Sequence, residues 1–407
     1  MKKVLAIVLA LAMVFSFAAC GKKEETPQVT ADKDYVIRVY SNTNDESEVQ
    51  WLKENAEKAG FKISIDDNTV ISGDLAVVQA ANEGKDGDVL FGLNETRWGQ
   101  VINGSYENLK LVEWEPTWSG KVGTFKYDKK AYGVTIQNVL MLYRTDEFGT
   151  NGKALKFDHW SEMADQGLVY YRQGKVGGTT NGNINNCMLF PYADPTSPAG
   201  GVSVDGWKAL WKYCAGGTFT GDSYGFDPLN ACKVQLSTFY SSSLYGSVDT
   251  AASGSEHPLT YDAAKKAPGN WALVDIKDGS YFIAEYIGVL EKAERTEAQT
   301  AQVKAFCEWF GSTETQTGWA NEFDRYPCNT AAAEASDLVD YAGIYSLHNM
   351  AQDKVGDKLY YEYVAEHSAE WTNIMTNLGF FWKDADGTHT EPDWDNLDWA
   401  TLCKPAQ

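Results

Sequence analysis

The sequence predicts an α/β protein of two lobes joined by a pair of crossing strands. Strand and helix patterns alternate in the first part of the chain, and a stretch rich in Gly, Asn and Ser follows at about 147–256. Extended segments at 131–145 and 271–276 bracket this stretch, which indicates a second lobe inserted into the first. We therefore expect two mixed sheets flanked by helices, with lobe 1 formed by 34–138 and 274–407 and lobe 2 by 139–273.

Two β-α-β units open lobe 1. Residues 35–40 are rich in β-branched and aromatic side chains, which favours a strand. Thr43 and Glu46 form a capping box for the helix that follows, and this helix ends at Gly60. Alternating apolar residues at 61–65 predict the second strand.

The third strand, at 88–91, is continuously apolar at its centre, as is typical of a parallel strand that helices cover on both faces. A helix with Leu75 and Val78 on one face precedes it. Helical periodicity returns at 300–316 and 360–378. We expect these C-terminal helices to pack on lobe 1.

The beginning of the chain has the pattern of an export signal. Two lysines precede an apolar run at 4–19 that is too short to span a bilayer, and Cys20 follows small residues, as in a bacterial lipoprotein signal. We expect removal of 1–19, lipidation of Cys20 and a disordered polar tether at 20–33. The mature protein is then extracytoplasmic and lipid-anchored to the cell membrane, at the cell surface or in the periplasm. An ordinary signal peptide with an incidental cysteine is the alternative.

Composition restricts the partners. The formal net charge of −21 makes nucleic acid and anionic lipid poor partners. The six cysteines after Cys20 allow 15 pairings, among which the sequence does not choose, and buried free thiols are equally compatible with it. The chain has no CxxC pair, and its five histidines are scattered without metal-ligand spacing. We expect a monomer with no metal and no cofactor.

Candidate ligand contacts follow from the predicted sheet. In open α/β sheets, ligands bind outside the carboxyl ends of the strands. Asn42 follows the first strand, Asn94 and Trp98 follow the third, and Gln137 lies in the first crossing segment. Helix entry explains Asn42 equally well, and Trp98 is equally suited to covering its own helix.

Two further sets of candidates depend on the charge of the ligand. The N-terminus of a helix binds anions, and Thr180 and Asn181 precede a helix-like stretch. A cation is favoured by desolvated aromatic faces and a carboxylate. The candidates for these roles are Tyr240, Tyr261, Trp319 and Asp324. Core packing explains the aromatic residues equally well, and helix capping explains Thr180 and Asn181.

Several motifs in the second half of the chain stand in a characteristic order. They are the turn Asp278-Gly279-Ser280, the strand YFIAEYIGVLEKA at 281–293, the helix VKAFCEWFGSTETQ at 303–316 and the segment Tyr326-Pro327-Cys328-Asn329. This order resembles that of the extracytoplasmic solute-binding proteins of ABC importers. DVLFGLN at 88–94 and YGVTIQNVLMLYRTDEF at 132–148 extend the resemblance over most of the mature chain.

Within that group the chain looks most like periplasmic thiamine-binding proteins, relatives of iron(III), polyamine and aminoethylphosphonate binders. The residues that carry this likeness are DVLFGLN, Pro258, Tyr261, Lys265, Lys266, Gly279, Tyr281, Glu370 and Trp371. In the thiamine-binding proteins aromatic residues contact the cation. In this chain Asp324 lies close to a position at which the resemblance implies a tryptophan.

The resemblance implies a type II periplasmic-binding-protein fold with no enzymatic activity. It also implies a small solute held between the lobes and delivered to an ABC permease, here a cationic or zwitterionic nitrogen compound of the thiamine or polyamine kind. Iron(III) and a phosphonate or sugar phosphate are the alternatives within the family. The adjacent tyrosines that iron binders present occur here only at 170–171 and 360–361, in a predicted strand and in the C-terminal helices.

An exported carbohydrate hydrolase is the alternative from a different class. The 14 tryptophans and many carboxylates suit a sugar site. Such an enzyme needs two carboxylates that face each other across the sugar, and the spacing of the acidic residues identifies no such pair.

Overall fold

The chain folds into a mixed α/β structure, as the sequence predicts. A computed structural model describes residues 29–42, 46–65, 74–93, 95–172, 185–216, 218–219, 232, 235–240, 256–262, 267–341, 348, 350, 353–380 and 390–405. The strands are β1 (Val36–Ser41), β2 (Lys62–Ile65), β3 (Val89–Leu93), β4 (Lys126–Tyr127), β5 (Ala131–Arg144), β6 (Lys156–Phe157), β7 (Tyr170–Arg172), β8 (Thr218–Phe219), β9 (Leu236–Tyr240), β10 (Tyr261–Asp262), β11 (Ala267–Pro268), β12 (Trp271–Leu273), β13 (Asp275–Ile276), β14 (Tyr281–Val289), β15 (Tyr326–Pro327), β16 (Lys354–Val355) and β17 (Lys358–Leu359). The α-helices are α1 (Glu46–Lys58), α2 (Asp74–Gly84), α3 (Glu95–Ile102), α4 (Val204–Gly216), α5 (Glu297–Phe310), α6 (Thr313–Phe323), α7 (Thr330–Ala335), α8 (Tyr360–Asn377) and α9 (Trp399–Leu402).

Eleven of the described strands form one continuous mixed sheet. β1 pairs in parallel with β2 and β3, as two β-α-β units require, and β14 runs antiparallel between β3 and β5. Beyond β5 the order continues through β9, β7 and β8. We expected two mixed sheets. One sheet forms instead, because β5 is 14 residues long and pairs with strands of both lobes.

Two hydrophobic cores of the described residues lie along this sheet. The first contains side chains of β1, β3, α1, α2, α5 and α6, and the second contains side chains of β7, α4 and α8. β5 contributes to both. Leu140 and Leu142 belong to the first core, whereas Met141 and Tyr143 belong to the second. Neighbouring side chains of a strand point to opposite faces, so the alternation along β5 supplies both cores.

The chain returns to the first lobe through β12, β13 and β14. β12 and β14 both pair with β5, and between them β13 pairs with β6 of the second lobe. Val274 is buried in the second core, and Phe282 and Ala284 are buried in the first. Two strand segments therefore cross between the cores, as the sequence predicts.

The C-terminal helix α8 packs on the second lobe, and our expectation that it would pack on the first is wrong. Tyr363 and Trp371 are buried in the second core. The Tyr363 hydroxyl donates to the carbonyl of Gly201, and the Trp371 indole N–H donates to the carbonyl of Gly200 at 2.7 Å. Trp394 is also buried in the second core, so the described tail extends this lobe. The helices α5 and α6 do pack on the first lobe.

The structure also answers two open questions about the chain. Among the six cysteines that it describes, none is bonded to another in a disulfide. Among the described helices, none combines the length and the apolar content of a membrane span.

We predict that Gly201→Ala lowers the free energy of unfolding more than Gly152→Ala does. Both glycines have positive φ angles, 72° and 77°, so both substitutions carry a left-handed backbone cost of about 1–2 kcal/mol. At Gly152 the new methyl group meets nothing within 4 Å. At Gly201 it lies 2.6 Å from the Tyr363 hydroxyl and 2.8 Å from the His367 ring. Overpacking of this kind adds about 1–3 kcal/mol.

Urea unfolding of the two variants measures this difference. Equal losses of stability would contradict the docking of α8 at Gly201.

Candidate functional site

The candidate site lies where the crossing strands leave the first lobe. The carboxyl ends of β1 and β3 are side by side there, and the amide of Asn42 donates to the carbonyl of Phe91 at 3.3 Å. Gly92 has a φ of 82°, and a side chain on it would lie 3.3 Å from the Ser41 hydroxyl. Glycine therefore allows the two strand ends to approach closely. The next strand, β14, continues past Leu93 towards the second lobe.

The second lobe faces this end of the sheet. Helix α3 begins two residues after Leu93, the last residue of β3. Helix α8, which packs in the second core, lies alongside α3. We refer to the region between the lobes, next to the carboxyl ends of β1 and β3 and the two crossing strands, as the interlobe groove.

The register of β5 brings three predicted site residues together. On one edge of β5, β15 pairs as far as Ile136, and Tyr240 of β9 pairs with Val139. Gln137 lies between these two positions, and Asp324 lies two residues before the start of β15. The backbones of Gln137, Tyr240 and Asp324 are therefore close to one another in space. Asp324 belongs to the first lobe and Tyr240 to the second.

A carboxylate that was not predicted from the sequence lies on the other edge of β5. Glu285 of β14 is opposite Thr135, and the Thr135 hydroxyl donates to Glu285 Oε2 at 2.7 Å. Thr135 is buried and Glu285 is partly buried. Burying a charged side chain costs free energy, so a single glutamate in the apolar strand YFIAEYIGV is the sequence signal that could have identified Glu285.

Asp324 is a partly buried carboxylate at the end of α6. Its φ of 54° is left-handed, a conformation that Asp and Asn adopt more readily than most residues. Burial raises the pKa of Asp324, and the positive charge of Arg325 opposes this increase. Arg325 Nε and Nη2 donate to Glu48 Oε1 at 3.0 and 2.8 Å, which ties the segment to the first turn of α1.

Two tryptophans that we expected to contact ligand are core residues. Trp98 is 0% exposed and packs against Tyr286 and over Gly288. Trp319 is 1% exposed and packs edge-on against Phe310. Both rings are therefore packed in the first core.

The remaining predicted residues lie elsewhere or outside the described part of the chain. Tyr261 belongs to the hairpin β10–β11, which does not pair with the main sheet. The structure describes the strand backbones of Tyr240 and Tyr261. The positions outside the described residues are Asn94, Thr180, Asn181 and the lipidation site Cys20.

The first tyrosine of each adjacent pair, Tyr170 and Tyr360, belongs to the second core. Tyr170 in β7 is 1% exposed, and its hydroxyl donates to the carbonyl of Tyr213. Tyr360 at the start of α8 is 0% exposed. In the described part of the chain, no three His, Cys, Asp or Glu side chains come together as a metal site.

Comparisons with known proteins agree with this architecture. Residues 50–344 match the family model of bacterial extracellular solute-binding proteins. No protein among the curated sequences matches the chain.

Solved structures of periplasmic binding proteins share the fold. Ferric iron-binding protein A of Mannheimia haemolytica, in an open conformation, is 14% identical and has a TM-score of 0.58; the match covers 85% of this chain and 99% of that one. The Trichodesmium protein IdiA (FutA), in complex with iron and citrate, is 12% identical with a TM-score of 0.59, and the match covers 85% and 100% of the two chains. A periplasmic thiamin binding protein is 13% identical with a TM-score of 0.53, over 83% and 94%.

The family match spans most of the chain, and the structural matches span nearly the whole of the related proteins. Both groups consist of binding proteins and not of enzymes, which argues against the carbohydrate hydrolase. The two cores, the shared sheet and the two crossing strands are the architecture of these two-lobed proteins. This chain therefore belongs to the family of bacterial extracellular solute-binding proteins and has the type II periplasmic-binding-protein fold.

Proposed function

We propose that this protein captures a cationic or zwitterionic nitrogen compound in the interlobe groove and delivers it to an ABC permease. It acts as a monomeric lipoprotein anchored through Cys20, and the ligand is of the thiamine or polyamine kind. The observation that carries the ligand class is the pair of partly buried carboxylates, Glu285 and Asp324, on the two edges of β5 beside Gln137.

The spacing of these carboxylates suits a small organic cation. Glu285 belongs to the strand on one side of β5, and Asp324 lies two residues before the strand segment on the other side. Two strand spacings, about 10 Å, separate their backbones across the sheet, and three residues along β5 add an offset of about 10 Å, so the backbones are about 14 Å apart. A ligand of several carbon atoms with one or two positive nitrogens would reach between them.

Desolvation gives the carboxylates their preference for a cation. Burial disfavours the ionised form of Asp324, as the increase of its pKa indicates. A bound ammonium or thiazolium group would offset this cost, because opposite charges interact more strongly where water is excluded. A neutral sugar provides no such compensation. The resemblance to thiamine-binding proteins supports the same ligand class.

Isothermal titration calorimetry tests the ligand class. The panel is thiamine, its phosphates, spermidine, putrescine, aminoethylphosphonate, neutral sugars and iron(III). We expect binding of thiamine or a polyamine. Binding of neutral sugars alone would contradict the proposal, and binding of iron(III) or a phosphonate alone would replace it with the corresponding alternative within the family.

We predict that Asp324→Asn weakens binding of the cation by about ten- to hundredfold, since a hydrogen bond to a charged group contributes about 1.5–3 kcal/mol. Asn keeps the left-handed backbone of this position. Asp128→Asn is the matched control, because Asp128 also has a positive φ, 48°, but is exposed in the turn before β5. Calorimetry of both variants measures the change, and equal affinities in the two would exclude Asp324 from the site.

We also predict that protonation of Asp324 at low pH has opposite effects on two quantities: it weakens the binding of a cation, and it stabilises the ligand-free protein. The pKa of this carboxyl is raised above 3.8 in the folded protein, so the folded state holds the proton more tightly than the unfolded state. The contribution of Asp324 to stability is therefore largest at low pH and decreases as the pH rises through the raised pKa. Affinity for a cation needs the ionised form and decreases as the pH falls through the same pKa.

Calorimetry and thermal unfolding between pH 7 and pH 4 measure both effects. In Asp324→Asn the free protein should be at least as stable as the wild type at pH 7, and its affinity should depend less on pH. A wild-type affinity that rises on acidification would contradict the role of this carboxylate.

A further inference from the structure

A charge pair holds the residue next to Asp324. Arg325 donates from both Nε and Nη2 to Oε1 of Glu48, at 3.0 and 2.8 Å. The Glu48 side chain is 8% exposed and the Arg325 side chain is 28% exposed. The pair is therefore shielded from water on the Glu48 side, where its attraction is stronger than at an exposed position.

The position of Glu48 favours its ionised form. Glu48 lies in the first turn of α1, and the N-terminus of a helix stabilises a negative charge. Arg325 remains charged under all relevant conditions. The two contacts therefore join a permanent cation to an anion that the helix end stabilises.

Arg325 directly follows Asp324 in the chain, and its positive charge acts to lower the pKa of Asp324. A guanidinium group binds a carboxylate through two parallel hydrogen bonds when both are available. If Glu48 did not hold the guanidinium group, Asp324 would be the nearest carboxylate in sequence for it to bind. A cationic ligand would then have to displace Arg325 before it could contact Asp324.

We propose that Glu48 is a positioning residue for the ligand site: it holds the guanidinium group of Arg325 away from Asp324 and leaves that carboxylate available to a cationic ligand. This inference rests on the proposed function of the groove. It extends the site to the first turn of α1, a segment that contains none of the predicted ligand contacts, and it gives that segment a role in ligand affinity.

A purely structural pair makes a different prediction. If Glu48 and Arg325 only tie α1 to β15, removing one partner costs stability, and removing both restores part of it without affecting Asp324. If the pair positions Arg325, removing Glu48 alone lets Arg325 neutralise Asp324. Removing Arg325 as well frees Asp324 again. The double variant therefore distinguishes the two roles.

The experiment compares Glu48→Met with Glu48→Met/Arg325→Met. Methionine has a similar length, favours a helix and accepts no strong hydrogen bond. Glu57→Met is the control, because Glu57 is an exposed residue of the same helix. One readout is the carbon-13 NMR titration of the Asp324 carboxyl group in the ligand-free protein. The other is calorimetry with thiamine and with spermidine as probes.

In Glu48→Met we expect a lower pKa of Asp324, because Arg325 moves next to it and a neighbouring arginine lowers the pKa of an aspartate. We also expect the affinity for the cation to fall by at least about tenfold, because the cation then competes with Arg325 for this carboxylate. In the double variant we expect the pKa to rise above the wild-type position and the affinity to return to the wild-type level or beyond. Glu57→Met should change neither readout.

An Asp324 pKa that is the same in the wild type and in both variants would overturn the proposal, whatever the affinities. A double variant that binds as weakly as Glu48→Met would also overturn it. If the wild type binds neither probe, the proposed ligand class fails, while the titration still decides whether Glu48 keeps Arg325 away from Asp324.

Discussion

The long strand β5, which belongs to both hydrophobic cores, is the constraint on which the rest of this structure depends. Successive side chains of β5 enter different cores, with Leu140 and Leu142 in the first and Met141 and Tyr143 in the second. Neither lobe can pack without this strand, and the lobes can separate only where the crossing segments leave their cores. The polar residues of β5 and β14, Thr135, Gln137 and Glu285, occur in this region. The place of the groove and of its carboxylates therefore follows from one strand that supplies two cores.

Two carboxylates elsewhere in the protein are each paired with a buried arginine and have a structural role. Asp88 is wholly buried, and Arg295 lies 3.0 Å from it. Arg144, also wholly buried, holds Asp146 through Nε and Nη2. These pairs satisfy buried charge within a single lobe, as burial requires. At Asp324 the adjacent arginine instead directs its hydrogen bonds to Glu48, and burial raises the pKa of the carboxyl. This difference is why the groove, and not the rest of an acidic protein, is the place where a cation should bind.

The sequence predicted the local elements well and their partners less well. Strands at 35–40 and 61–65 were predicted from side-chain patterns and correspond to β1 and β2 within one residue. The period of α8 is the same whichever core it enters, so only the contacts of Tyr363 and Trp371 with Gly201 and Gly200 assign it to the second lobe. Trp98 and Trp319 have the chemistry of a cation-binding ring and of a core residue alike, and the sequence does not reveal that both are buried in this structure. Glu285 was not predicted because the apolar pattern around it indicates a strand and does not reveal which side chain faces the groove. Gln137 and Asp324 come together through the register of β5, which depends on pairings between distant segments of the chain.

Hydrogen exchange of the backbone amides with and without ligand tests most directly whether ligand binds where the crossing strands leave the first lobe. At saturating thiamine or spermidine, we predict increased protection at 135–139, 281–285 and 324–327, with little change in the outer strand β2. Protection confined to other segments, or saturating concentrations of both ligands that leave these three segments unchanged, would contradict this location of the site.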